Sequence, residues 1–219
     1  MARQIPLDLP VIEATGRDDF FVCATNLAAT RLIDDWPGWP EARLLLTGPK
    51  GSGKSHLASV WAVETGAETA HSVTPPPVPS TPLVLEDIHR FMGNPEAEEA
   101  LFHTLNRFAA PGTPLLMTAQ EPLTPTLPDL ATRLAATTRA SLGEPDDELL
   151  MALLLKHFTD RQLDPSSELL SYLVTRMERS AQAAQALVAA LDRHQLATGH
   201  RLSRGLAAEV LEQPEFSGN

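Results

Sequence analysis

The hydrophobic pattern of the chain changes near residue 142. Before that point, short apolar runs alternate with longer segments in which apolar residues recur every three or four positions. The short runs are Arg43–Thr47, Leu83–Asp87 and Pro114–Thr118. Runs of this kind are typical of strands buried on both faces, and such strands separated by helices predict a parallel sheet. We therefore predict an α/β fold for this part of the chain.

The longer segments predict helices over Thr25–Trp36, Lys54–Glu64 and Pro95–Ala109. The segment 74–82 is rich in proline, which fixes φ and removes a hydrogen-bond donor. We interpret it as a stiff surface loop rather than as a polyproline II ligand for a partner. Residues 1–14 are predicted to form an extended tail.

The remainder of the chain has the pattern of helices alone. Four polar residues stand where helix N-caps are expected: Asp146, Asp164, Ser180 and Ser203. Pro165 follows the second of these at the favoured first helical position, and Gly199 lies just beyond a helix end. We therefore divide the chain into a tail (1–14), an α/β domain (15–142) and a small helical domain (143–219).

Composition narrows the possible partners. The chain of 219 residues has 28 acidic and 17 basic residues, a net charge of −11. This balance opposes strong DNA binding by the chain alone, because phosphate contacts need clustered Lys and Arg. A single cysteine, Cys23, excludes an internal disulfide and favours the cytoplasm. We find no signal peptide and no apolar run of about 18 residues that would span a membrane.

A phosphate-binding motif follows the first apolar run. The sequence GPKGSGKS fulfils the pattern GxxxxGK[ST], and it lies between a predicted strand and a predicted helix. Its glycines let successive N–H groups point at phosphate oxygens, and the start of the helix adds a positive dipole end. Lys54 is expected to reach the β- and γ-phosphates and Ser55 to bind Mg²⁺. The residues predicted to bind the nucleotide here are Gly48, Pro49, Lys50, Gly51, Ser52, Gly53, Lys54, Ser55 and His56.

Two acids end the second predicted strand. A carboxylate at this place fixes Mg²⁺ and orients the attacking water in nucleotide hydrolases. Glu86 is our candidate metal ligand, although aspartate is commoner here and Mg²⁺ demands near-octahedral geometry. Asp87 is our candidate catalytic acid.

Several segments together resemble a known family. They are GKSHL (53–57), VLEDI (84–88), LLMTAQEP (115–122) and LPDLATRL (127–134), with further similarity over 18–40 and 142–163. They resemble the AAA+ module of the replication initiator DnaA, and more closely the DnaA-related regulators of the Hda type, including the alphaproteobacterial form HdaA. The resemblance implies a P-loop NTPase AAA+ domain with a parallel sheet, followed by a small all-α lid, without DnaA's DNA-binding domain.

The resemblance also implies roles for individual residues. Thr118 matches the sensor 1 polar residue, which lies close to the γ-phosphate. Arg133 matches the arginine finger, used in trans on a nucleotide held by a neighbouring subunit. An arginine suits this role because it is always charged and presents a planar fork of donors. Arg139 is the weaker alternative for the same role.

The lid departs from the family pattern. Gln182 stands where the sensor 2 arginine is expected, and Arg179, three residues earlier, lies on the same helical face and is a candidate substitute. Without that cation we expect weak or no intrinsic hydrolysis, with bound ADP or ATP and Mg²⁺ as the cofactors.

The tail QIPLDL resembles the sliding-clamp-binding motif that Hda proteins have at this place. Gln4 offers an amide for hydrogen bonds, and Ile5, Leu7 and Leu9 offer apolar side chains for a preformed pocket. The resemblance therefore implies two partners, the DNA polymerase III sliding clamp (its beta subunit) and DnaA, whose ATP hydrolysis this chain would stimulate. A homo-oligomer is also possible. The alternative is an autonomous AAA+ ATPase of the DnaC-like helicase-loader type, which needs no clamp motif.

Overall fold

The structure, a computed structural model, describes residues 20–213 together with residues 215 and 216. The first part contains, in chain order, α1 (Leu27–Asp34), β1 (Arg43–Thr47), α2 (Lys54–Thr65), β2 (Glu68–Ala70), β3 (Leu83–Leu85), α3 (Pro95–Ala109), β4 (Leu115–Ala119), α4 (Pro128–Ala136) and β5 (Arg139–Ser141). The second part contains α5 (Asp147–Asp160), α6 (Ser167–Val174), α7 (Ala181–Thr198) and α8 (Arg204–Leu211). Short 3₁₀ turns cover Trp36–Gly38, Pro40–Ala42 and Ile88–Phe91.

The five strands form one parallel sheet in the order β2-β3-β4-β1-β5. Every residue of β1, β3 and β4 is buried, and apolar clusters cover both faces of the sheet. The predicted α/β class with a parallel sheet is confirmed. Because parallel strands end at the same edge, the segments that follow β1, β3 and β4 lie side by side.

Two strand predictions need correction. The second strand ends at Leu85 rather than at Asp87, because Asp87 has a left-handed backbone (φ 56°) that ends the extended run. The third is Leu115–Ala119, one residue later than expected. The sequence pattern missed β2 and β5, which have three residues each and mostly exposed side chains at the two sheet margins. The proline-rich segment 74–82 forms neither helix nor strand, as expected.

The helix predictions were accurate in the interior and less so at some ends. The first helix begins at Leu27 rather than Thr25, and it ends at Asp34 because a 3₁₀ turn follows. Helix α4 was not predicted. The N-cap of α6 is Ser166, whose hydroxyl accepts from the Leu169 N–H, so the predicted cap at Asp164 with Pro165 as first helical residue is wrong. The serine takes the cap because it stands next to the first helical residue, Ser167.

Helices α5–α8 enclose a hydrophobic cluster of their own. Their remaining predicted caps are confirmed: Asp146, Ser180 and Ser203 each accept a hydrogen bond from the backbone N–H three residues later. Gly199 ends α7 in the left-handed conformation that glycine adopts without strain. The domain boundaries at residues 14 and 142 stay a prediction. None of the helices in the described part of the chain has the length and apolar character needed to cross a bilayer.

A buried carboxylate fixes the start of α4. Glu98, on α3, is fully buried and accepts hydrogen bonds from the N–H groups of Gly93, Thr126 and Leu127 and from the Thr126 hydroxyl, at 2.7–2.9 Å. Burial raises the pKa of Glu98, but the hydrogen bonds outweigh it and hold this pKa at about 2. Glu98 thereby joins the segment after β3 to the helix that bears Arg133.

Candidate nucleotide-binding site

The GPKGSGKS loop lies at the carboxyl edge of the sheet, between β1 and α2. A Cβ on Gly48 would stand 2.5 Å from the Leu142 carbonyl oxygen, so only glycine lets the loop pass the end of β5. A Cβ on Gly51 (φ 78°) would stand 2.3 Å from the Cβ of Ser180. The start of α7 therefore rests directly on the phosphate-binding loop, and the loop and the helical part form one site.

Lys54 is held inside this loop. Its side chain is buried, and its Nζ donates to the carbonyl oxygens of Gly48 (2.9 Å) and Pro49 (2.6 Å). Burial lowers the pKa of Lys54, and the carboxylate of Asp87 opposes this shift. The ammonium group thus lies among backbone oxygens of the phosphate-binding loop, with the acid Asp87 nearby.

Two observations indicate that the loop fits a phosphate group. The Ser52 hydroxyl is buried and has no hydrogen-bond partner among the described residues. The N-cap of α2 is Gly53, and no described side chain caps this helix; α1 and α4 are also uncapped, whereas α3 and α5–α8 are capped by side chains. Uncapped N–H groups at a helix start, with the dipole behind them, are the ordinary partners of a phosphate.

The segment after β3 brings Asp87 and Thr118 together. The backbone N–H of Asp87 donates to Oγ1 of Thr118 (2.9 Å), and Thr118 is fully buried near the end of β4. The Asp87 carboxylate pairs with Arg90 (Oδ2 to Nη2, 3.0 Å). Thr118 is therefore tied to the backbone of the acid, which places both predicted residues beside the loop that holds Lys54.

Glu86 has a different neighbour from Asp87. Its Oε2 is 3.5 Å from Nδ1 of His71, just after β2, whereas Asp87 is the acid whose charge acts on Lys54. Ser55 is exposed in the first turn of α2. The described residues contain no cluster of three or more His, Cys, Asp or Glu able to hold a metal ion. A Mg²⁺ ion with one or two protein oxygens would complete its shell with phosphates and water, as is usual for this ion.

One residue of the site was missed in the sequence. His89 accepts a hydrogen bond at Nδ1 from the Gln120 N–H (3.2 Å), and the same atom is 3.9 Å from Oδ1 of Asp87. It therefore connects the turn after β3 to the end of β4. No spacing pattern indicated this role, because the contact joins residues 31 positions apart.

The lid residues lie near the loop but differ in exposure. Gln182 is exposed in the first turn of α7, two residues after the Ser180 that contacts Gly51. Arg179 donates from Nε to the Pro145 carbonyl (3.0 Å), and its Nη1 pairs with Oδ1 of Asp147 (2.7 Å). The Arg179 guanidinium is thus engaged at the start of α5.

Arg133 is not part of this site. Its Nη1 lies 3.6 Å from Oε2 of Glu41, which stands two residues before β1. Because β1 runs from Arg43 to Thr47 before the loop begins, the two places are separated by the length of the strand, about 13 Å at 3.3 Å per residue. Arg139, the alternative, pairs with Glu121 (Nη1 to Oε1, 3.3 Å). The predicted clamp motif of Gln4, Ile5, Leu7 and Leu9 lies outside the described residues.

The comparisons with known proteins agree with this geometry. No family model matches the chain. An uncharacterized protein of Haemophilus influenzae is 24% identical over 229 residues, which cover 96% of this chain and 99% of that protein. Domain III of the replication initiation protein DnaA from Thermotoga maritima has a TM-score of 0.76 at 17% identity, covering 93% of this chain and 98% of that one.

Two further structures show the same fold. AMPPCP-bound DnaA from Aquifex aeolicus has a TM-score of 0.70 at 15% identity, covering 88% of this chain and 68% of that one. The RuvB Holliday junction branch migration motor from Thermotoga maritima has a TM-score of 0.60 at 16% identity, covering 78% of this chain and 61% of that one. The chain therefore has the AAA+ P-loop fold. Among these structures it is most similar to domain III of DnaA.

Proposed function

We propose that this chain is a DnaA-related AAA+ regulator of replication initiation, of the Hda type. It binds ADP or ATP at its own loop and stimulates the hydrolysis of ATP held by DnaA. The observation that supports this most directly is the place of Arg133. An arginine at the opposite edge of the sheet from the P-loop is unable to act on the chain's own nucleotide, and it is 40% exposed, so it is available to a neighbouring molecule.

Binding of the chain's own nucleotide rests on the carboxyl edge. Lys54, the unpartnered Ser52 hydroxyl and the uncapped start of α2 offer one ammonium, one hydroxyl and several N–H groups to phosphates. Mg²⁺, when bound, neutralises phosphate charge, and Ser55 with Glu86 or Asp87 would hold it. One similar structure, that of DnaA from Aquifex aeolicus, has the ATP analogue AMPPCP bound.

The nucleotide of this chain is proposed to act as a structural switch rather than as fuel. Ser180, at the start of α7, touches the loop, so a nucleotide there sets the position of the helical part. The candidate substitute for sensor 2, Arg179, is engaged by Pro145 and Asp147, and Gln182 brings no charge. Because Arg179 is engaged elsewhere and Gln182 is uncharged, we expect slow intrinsic hydrolysis.

The action on DnaA is electrostatic. Hydrolysis of ATP builds up negative charge around the transferred phosphoryl group, and an arginine supplied from a second subunit stabilises this charge; such fingers raise kcat about 10³–10⁵-fold. Docking on the DNA-loaded sliding clamp through Gln4, Leu7 and Leu9 would raise the local concentration of the chain beside DnaA. This second attachment explains how an acidic chain acts near DNA.

The test measures phosphate release from ATP-bound DnaA, with and without this chain and with and without DNA-loaded clamp. We expect release only when all components are present. Arg133→Ala should remove the stimulation while Arg139→Ala retains it, and both variants should bind clamp normally. Full stimulation by Arg133→Ala would contradict the finger assignment. If the chain instead hydrolyses ATP on its own and responds to single-stranded DNA but not to clamp, the helicase-loader alternative is correct.

The clamp motif has a separate test. The double variant Gln4→Ala with Leu7→Ala should lose retention on immobilised clamp, because it removes both the amide and a central apolar contact. Its affinity for ADP should stay that of the wild type. An unchanged dissociation constant for clamp would reject the motif and leave the rest of the proposal standing.

A further inference from the structure

Three charged residues form a cluster at the amino edge of the sheet, which we call the amino-edge cluster: Glu41, Arg43 and Arg133. The Glu41 carboxylate atom Oε2 contacts Nη2 of Arg43 and lies 3.6 Å from Nη1 of Arg133. One carboxylate oxygen therefore lies between two guanidinium groups. The two pairs differ in burial: the side chain of Arg43 is 3% exposed, whereas that of Arg133 is 40% exposed.

The pair of Glu41 with the buried Arg43 is the more firmly placed of the two. Burial lowers the pKa of Arg43, Glu41 opposes that shift, and the nearby charge of Arg133 adds to it. Nη1 of Arg43 has no hydrogen-bond partner among the described residues, so Glu41 is the acid that compensates this buried charge. Because an uncompensated buried charge is costly, the Glu41 carboxylate is held on Arg43 more strongly than on Arg133.

The backbone conformation at Glu41 also helps to fix the position of its side chain. Glu41 (φ 51°) and Ala42 (φ 54°) both have left-handed conformations, which non-glycine residues adopt only where the surroundings enforce them. The preceding Trp39 is anchored, since its indole stacks on Trp61 (5.3 Å between centroids) and its Nε1 donates to the Leu32 carbonyl (2.7 Å). Glu41 thus projects from a rigid turn.

We infer that Glu41 is a positioning residue for Arg133, an inference that rests on the proposed function. The buried Arg43 fixes the Glu41 carboxylate, and this carboxylate orients the guanidinium group of Arg133. A guanidinium has five N–H donors, so one contact with Glu41 leaves the others for phosphate oxygens of a neighbouring nucleotide. The positive charge of Arg43 is close enough to act against that of Arg133.

The chain offers a matched comparison for this arrangement. Arg139 and Glu121 form a surface pair of similar length (3.3 Å) in which both side chains are about half exposed. The Glu121 carboxylate has no second arginine among its described ion pairs. Exposed pairs of this kind contribute little to the order of their side chains. The Glu41–Arg133 pair is as exposed (52% and 40%) and differs in that the buried Arg43 holds its carboxylate. Glu121→Gln is therefore the control for Glu41→Gln, a variant that keeps an acceptor for Arg43 while removing the charge.

The test measures the maximum stimulation of ATP hydrolysis on clamp-bound DnaA and the concentration of chain that gives half of it. For Glu41→Gln we expect the maximum to fall about tenfold, because a misplaced group loses much of its effect on the transition state. The half-saturating concentration should stay at the wild-type value, since docking does not use Glu41. Glu121→Gln should match the wild type in both the maximum stimulation and the half-saturating concentration. In an Arg133→Ala background, Glu41→Gln should cause no further loss.

A second measurement does not depend on activity. The ¹⁵N relaxation of the Arg133 Nε–H group should show an ordered side chain in the wild type and in Glu121→Gln, and a more mobile one in Glu41→Gln. Equal order in all three would overturn the inference. So would a Glu41→Gln variant that stimulates as well as or better than the wild type, or one that changes only the half-saturating concentration.

Different results would contradict the proposed function and the positioning role of Glu41. If the wild-type chain does not stimulate DnaA at all, the proposed function is wrong, and the role of Glu41 is lost with it. If the wild type stimulates, Arg133→Ala is inactive and Glu41→Gln equals the wild type, the proposed function stands and only the positioning role is overturned.

Discussion

The two edges of the parallel sheet present different chemistry. At the carboxyl edge, backbone N–H groups, the Ser52 hydroxyl and the buried ammonium of Lys54 face the space above the strands. At the amino edge, Glu41 lies between two arginines, one buried and one 40% exposed. The first edge offers fixed donors in a sheltered loop, and the second offers a charged side chain on the surface.

Under the proposed function, this difference would let one small fold serve two molecules. A bound phosphate needs donors that are already in place, since each donor ordered on binding costs conformational entropy. An arginine that acts on a neighbour's nucleotide must instead reach beyond its own surface. Because about 13 Å of β1 separates the two edges, we expect nucleotide binding at the loop and the proposed action of Arg133 to be independent unless another residue couples them. The predictions below test that independence.

The largest expected effect is on nucleotide affinity. Lys54→Ala should weaken ADP binding about 100-fold or more, because hydrogen bonds to charged groups contribute about 1.5–3 kcal/mol each. Arg133→Ala should leave this affinity within about twofold of the wild type, as a remote surface change does. Isothermal titration calorimetry measures both. Lys156→Ala, a lysine of α5 outside the loop, is the control. A comparable loss in Arg133→Ala would show that the edges are not independent.

The second prediction concerns Glu98, which joins the segment after β3 to the start of α4. Its pKa is about 2 in the folded chain against 4.5 unfolded, so the ionised carboxylate stabilises the fold by at most about 3 kcal/mol. This stabilisation is fully present above pH 4.5 and is lost as the pH falls from 4.5 towards 2. The free energy of unfolding, measured with urea from neutral pH down through this range, should differ between the wild type and Glu98→Gln at neutral pH. The difference should shrink as the pH falls towards 2.

The control is Glu99→Gln, an exposed neighbour on the same helix whose nearest partner is His103 at 3.6 Å. It should unfold like the wild type at every pH. Glu98→Gln should also lower the stimulation of DnaA at neutral pH, since it loosens the start of the helix that bears Arg133. A pH-independent difference between Glu98→Gln and the wild type would contradict the ionised state of Glu98.

A smaller effect is expected where the helical part rests on the loop. Gly51→Ala places a Cβ 2.3 Å from the Cβ of Ser180 and should destabilise the fold by about 1–3 kcal/mol. Gly112→Ala has a similar φ (72°) with nothing within 4 Å, so it separates backbone strain from the clash. Adding Ser180→Gly to Gly51→Ala removes the clashing atom and should recover most of the stability difference between Gly51→Ala and Gly112→Ala. Equal stability of the two alanine variants would show that this contact is not tight.

The smallest effect is expected for Ser52→Ala, which should not lower stability but should weaken ADP binding. Ser52→Ala removes a buried hydroxyl that has no partner among the described residues, so the melting temperature of the ligand-free chain should stay the same or rise. Its affinity for ADP should fall about tenfold, the lower end of the contribution of one hydrogen bond to a charged group. Wild-type affinity for ADP would show that this hydroxyl does not face the phosphates.

The accuracy of the sequence predictions depended on how strong the local pattern was and how far apart the contacting residues lie in the chain. The loop between β1 and α2, the buried strands and the caps Asp146, Ser180 and Ser203 were all predicted, because glycine spacing, apolar runs and N-cap residues act over a few positions. The three-residue strands β2 and β5 were missed, since so short an exposed segment has no pattern of its own. His89 was missed because its partner stands 31 positions away.

The sequence by itself determined the local chemistry of this protein: a phosphate-binding loop before a helix, acids after a strand, and the type of each long element. Only the tertiary structure decided that Glu98 is buried, since an isolated glutamate in a helix normally faces water. The packing of α4 against the sheet likewise places Arg133 beside Glu41 and Arg43. The physical reason is the same in both cases: these contacts join residues far apart in the chain, and only the folded core brings them together.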